Sequence, residues 1–122
     1  MDYLRKIDFS ALKAAPAERI NQVLIDTLSG GDQCGVAAVQ TPVGGGSPAG
    51  LHRHVFDQYF YMVSGVMDFE IEGKQYKAGP GELVVFPTGV PHRNWNGGAE
   101  PTLHLNFMIP CPKPGEPIGI PV

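Results

Sequence analysis

Cysteine is scarce in this chain: Cys34 and Cys111 are the only two in 122 residues, far apart and in no C-x-x-C arrangement. A chain of this length buries a core without disulfide support, and two separate reduced thiols are expected ahead of a single structural disulfide. Charge is also sparse, at 17% of residues, and the formal net charge is only −3. With a pI near 5.7, nothing in the balance argues for nucleic acid or a membrane surface as partner. No uninterrupted apolar run approaches the length of a membrane span. The stretch from Met1 to Phe9 lacks the apolar segment of a signal peptide. The expectation is a soluble, cytoplasmic, single domain over residues 1–122.

Glycine and proline, in contrast, are abundant, with 16 and 12 residues. Together with short apolar runs they favour an all-β chain with many turns. Ser10 is expected to cap a helical turn through Leu12 and Lys13 that Pro16 ends. Strands follow over Arg19–Leu28 and Val36–Thr41, then a flexible loop from Thr41 to Gly50. Val66–Glu72 alternates cleanly, with Met67, Phe69 and Ile71 on one face and Asp68, Glu70 and Glu72 on a solvated one. Gly73-Lys74 turns the chain, Leu83–Phe86 is an apolar strand, and Thr102–Ile109 is the last. The proline-rich tail over 110–122 is expected to run extended, without helix or ladder. Many short strands separated by Gly/Pro turns indicate a sandwich or barrel.

The densest chemistry lies between Gly46 and Gly65. Read as one extended segment, His52, His54, Gln58, Phe60 and Met62 share a face, because side chains alternate with period two. Asp57 turns to the other face, as do Tyr59, Tyr61 and Val63, whose apolar surface suggests a dimer contact. Imidazoles and an amide oxygen held on rigid strands suit a divalent first-row metal. His104 is either a fourth ligand or acid/base group facing inward with Asn106, or an outward residue behind Leu103, Leu105 and Phe107. Arg53 and Arg93 are expected to point outward.

These residues resemble the cupin superfamily. Its first motif is matched by Gly46, His52, His54 and Gly65, with Gln58 in place of the usual Glu; its second by Gly81, Pro87, Gly89, His92 and Asn96. The agreement is nine positions of ten over 46–96. The resemblance implies a small double-stranded β-helix, or jelly-roll barrel, of two antiparallel sheets. It implies a homodimer and a metal held by His52, His54, Gln58 and His92. Phe60, Met62 and Asn106 would line the substrate pocket, and His104 would be catalytic.

As a ligand, the amide at position 58 leaves the metal its full double charge and favours anionic substrates such as enolates; without its coordination the site is a three-histidine centre. Three functions follow from that site. The first is an Fe(II)-dependent, dioxygenase-like oxidoreductase acting on an enolisable or aromatic small molecule. The second is a Lewis-acid enzyme with Zn(II), Ni(II) or Mn(II), performing isomerisation, cyclisation or elimination as in polyketide cyclases. The third is a non-enzymatic module binding a small ligand or metal.

Overall fold

The computed structural model describes residues 2–31 and 33–122. One short helix, α1 (Phe9–Ala14), precedes ten strands: β1 (Ile20–Ile25), β2 (Gly35–Thr41), β3 (His52–Arg53), β4 (Asp57–Ser64), β5 (Met67–Ile71), β6 (Lys74–Ala78), β7 (Leu83–Phe86), β8 (His92–Trp95), β9 (Thr102–Ile109) and β10 (Ile120–Pro121). They form two five-stranded sheets, ordered β1-β2-β9-β4-β7 and β10-β3-β8-β5-β6. Every pairing between named strands is antiparallel. This is the all-β double-stranded β-helix, although hydrogen bonding does not close its sheets into a continuous barrel.

The core lies where alternation turns large apolar side chains inward from both sheets. Phe60 and Met62 of β4 and Val84 and Phe86 of β7 meet Met67 and Phe69 of β5 and Ala78 of β6. Each such large side chain contributes about 1.5–3 kcal/mol through burial. A second cluster forms on the other face of the first sheet, where Leu12 of α1 packs on Ala38 and Leu103. That cover explains why β9 buries residues of both parities near its start: Leu103 lies under the helix while His104 faces the interior.

Several local expectations are corrected. The cap of α1 is Asp8, whose carboxylate accepts from the Ala11 N–H; Ser10 already lies inside the helix. The turn after β5 is Glu72-Gly73, both with positive φ (51° and 80°), and Lys74 opens the next strand. Two central residues of positive φ match the twist of a two-residue hairpin. Asp68 and Glu70 are not a solvated face: they pair with Lys77 at 2.6 Å and Arg93 at 3.1 Å, half-covered by neighbouring strands.

Two larger corrections bear on the site. The stretch from His52 to Met62 is not one strand: β3 belongs to the second sheet and β4 to the first, the chain crossing between them at residues 54–56. The loop after β2 is pinned rather than free, because Gly46 bridges Trp95 and the Ser47 N–H donates to the Asn94 carbonyl. The tail likewise ends in a ladder, with Ile120 opposite Arg53 and Pro121 opposite His52.

Candidate metal centre

His52 stands in β3 directly opposite His92 in β8. His54 follows just beyond β3, and its carbonyl accepts from the Gly89 N–H, so the loop before β8 is tied to the segment carrying the first two histidines. The consequence is a convergence of His52, His54 and His92, each offering a ring nitrogen within 4.8 Å of the others. Ring centroids are 4.9 Å apart for His52–His54, 4.3 Å for His52–His92 and 4.9 Å for His54–His92. Phe56 stacks on His54 at 4.7 Å and Phe86 leans on His92 at 4.1 Å.

The nitrogens are oriented by backbone carbonyls. His92 Nδ1 faces the Val90 carbonyl at 3.0 Å, and His54 Nδ1 is held by the carbonyl of Ile118 in the tail. Each partnership makes Nδ1 the protonated nitrogen and leaves Nε2 with a free lone pair. His54 Nε2 and His52 Nδ1 are buried with no hydrogen-bond partner. Leaving such atoms unsatisfied is costly, and a metal ion in their midst removes the cost. Burial, and to a smaller degree the neighbouring imidazoles, pushes His92 down to about 4; burial and then His54 lower His52. Neutral imidazoles are the form that ligates a metal. The residues present therefore fit a divalent cation.

A cavity of about 720 Å³ opens beside this group, lined among others by His52, His54, Gln58, Phe60, His104 and Asn106. His92, only 1% exposed, is buried behind that wall. Gln58 donates from Nε2 to Asn106 Oδ1 at 2.8 Å, an arrangement made by β4 pairing with β9. His104 faces inward, 2% exposed, with its ring stacked 3.9 Å from that of Phe60 and Nδ1 buried without a partner. It is not in the cluster formed by the other three histidines. Burial, with a smaller contribution from Arg19, pushes His104 down to about 3, so its imidazole is uncharged near neutral pH.

Met62, expected in the pocket, is 0% exposed and sits in the apolar core, packed among side chains of both sheets and outside the cavity lining. Asp57 is engaged by the N–H and hydroxyl of Thr88, away from the histidines. Arg93 lies 4.6 Å over the Trp95 ring, and Arg53 is exposed. Asn96, the last residue of the second motif, donates to the carbonyls of Thr41 and Glu100 and accepts from the Gly98 N–H, so its work is structural. Sequence reasoning missed Phe56 and the tail carbonyl of Ile118. Phe56 carries a readable signal, an aromatic two residues after H-x-H; a backbone carbonyl 64 residues away carries none.

Residues 38–108 match the cupin domain family, and the chain belongs to it. No curated protein matches the chain significantly. Among solved structures it is similar to the polyketide cyclase RemF from Streptomyces resistomycificus, with 27% identity, TM-score 0.69, and coverage of 82% of this chain and 70% of that one. An RmlC-like cupin from Methanocaldococcus jannaschii shares the fold at 14% identity and TM-score 0.72, covering 90% and 92% of the two chains. The DMSP lyase DddQ from Ruegeria pomeroyi shares it at 19% identity and TM-score 0.69; all of this chain aligns with 59% of that protein.

Proposed function

We propose that this protein is a metal-dependent enzyme using a divalent cation as a Lewis acid on an enolisable or aromatic small molecule, in a cyclisation, isomerisation or elimination. The observation that carries the reading is one cavity with His52 and His54 of the histidine cluster on its wall and, apart from them, the uncharged imidazole of His104, whose Nδ1 has no partner. When bound, the cation would supply an electrophile for a substrate oxygen, its double charge uncompensated by any carboxylate of the set. His52, His54 and His92 would hold it. Gln58 would offer Oε1, because Asn106 occupies its amide N–H and so fixes which atom is free.

His104 would act as an uncharged hydrogen-bonding and proton-relaying group at Nδ1, not as an imidazolium. The face of Phe60 holds that ring in place. The mixed but largely apolar wall suits an aromatic or polyketide-like molecule. The likeness to a polyketide cyclase supports this choice. A second reading, Fe(II)-dependent dioxygenation, is favoured by the three-histidine set itself, which leaves positions open. We place the protein in the cytoplasm, where its free Cys34 and Cys111 stay reduced, and assign it a homodimer.

The test begins with metal content after purification without added metal, for the wild type, His92→Ala and Gln58→Glu. The wild type is expected to retain a divalent ion and His92→Ala to lose it. Gln58→Glu is expected to bind the ion more tightly and turn over more slowly. Proton exchange and oxygen uptake are then followed on β-diketones and phenolic acids. Exchange or ring closure without oxygen uptake supports the Lewis-acid reading, uptake with Fe(II) moves the assignment to dioxygenation, and tight binding with neither leaves a binding module.

A further inference from the structure

We infer that the C-terminal segment from Ile118 to Val122 is a working part of the metal centre, so that metal binding and docking of this segment are one linked equilibrium. The inference rests on the metal-centre reading above. Its ground is a set of contacts made almost entirely by backbone. The Ile118 carbonyl takes the Nδ1 proton of His54. At Gly119 an added Cβ would stand 3.6 Å from His52 Cδ2, in ordinary van der Waals contact, so the chain runs beside that imidazole. Ile120 and Pro121 then pair with Arg53 and His52, and the Val122 N–H donates to the Leu51 carbonyl at 3.2 Å. Within a few residues the tail touches both histidines of β3 and its continuation.

Little else holds it there. Residues 113–119 are exposed, and of the final three only Ile120 is half-buried. A segment tied by a few backbone bonds, without buried side chains, opens at low free-energy cost. The coupling comes from the tautomer of His54. With a cation on Nε2, the ring must carry its proton on Nδ1, and the Ile118 carbonyl is the acceptor aimed at it. Without a cation the tail carbonyl alone fixes that tautomer, and when the tail undocks the proton can move to Nε2, which removes the lone pair a cation needs. Ile118 is thus a positioning residue through its carbonyl, and linkage requires that each event favour the other equally.

The experiment uses the full chain with Zn(II) as probe. Amide hydrogen exchange at residues 118–122 is followed in chelator and in saturating Zn(II). Exchange there is expected to slow about tenfold or more, within the usual range of coupling between sites. Exposed residues 113–116 should be unchanged, which separates docking from general stabilisation. A chain ending at Pro117 is expected to bind Zn(II) about 10–100-fold more weakly, with its circular dichroism unchanged. Zn(II) binding that depends on His92, with tail exchange unaltered, overturns the inference and leaves the metal centre standing. No Zn(II) binding by the full chain overturns both. Should the shortened chain fail to fold, the exchange comparison on the intact protein still decides.

Discussion

At the scale of single residues, burial controls the protonation of the inward-facing histidines. Burial pushes His104 down to about 3 and His92 down to about 4 in the folded protein, against about 6.5 in an unfolded chain. As pH falls through about 6.5 the unfolded state takes up protons first, so stability is fullest above that value and declines down to the folded-state values. His52, also lowered, acts in the same direction. The urea midpoint of the chelated protein is expected to fall as pH is taken from about 7.5 to about 5. In His104→Gln, which removes one of these titrating groups, the fall should be smaller. An undiminished pH dependence in that variant would show that His104 is not the buried neutral group described. The position of Gln58 beside Asn106 has the same residue-scale logic: one hydrogen bond determines which end of an amide is available.

At the scale of elements, the site depends on where short strands are pinned. Gly46 lies at φ 155°, and a Cβ there would fall 2.2 Å from the Asn94 carbonyl oxygen and 2.6 Å from the Trp95 Cα. The glycine that opens the first motif is therefore a place where two backbones touch, fastening the loop to β8 and hence to His92. Gly46→Ala is expected to cost about 2–3 kcal/mol in denaturant unfolding. Gly50→Ala, also at positive φ (89°) but with nothing within 4 Å, should cost only the conformational penalty, about 1–2 kcal/mol. Equal losses at the two positions would argue against the close approach at Gly46. Alternation made β5 readable, since Met67 and Phe69 are both buried. It could not reveal that the run from His52 to Met62 changes sheets, because an extended segment looks the same locally whichever neighbour it pairs with.

For the molecule as a whole, the outer face of the first sheet remains apolar beyond the cover of α1. Tyr61, Val63, Leu83 and Val85 are exposed together on β4 and β7, with Tyr61 opposite Leu83, and β7 is the last strand of its sheet. Sedimentation is expected to show a dimer, with the double variant Tyr61→Arg, Leu83→Arg shifting it to monomer while the β-rich circular dichroism persists. A monomeric wild type would refute the assignment. No described helix is long and apolar enough to cross a membrane. What the sequence alone determined was the family, the all-β class and the identity of the three histidines, because motif spacing and turn residues are local and written along the chain. Only the tertiary structure decided that β3 and β4 lie in different sheets, that His104 faces inward while Met62 belongs to the core, and that the tail returns to bind His54. Those outcomes rest on contacts between residues distant in sequence, where burial and backbone hydrogen bonding choose the partner and leave no periodic mark.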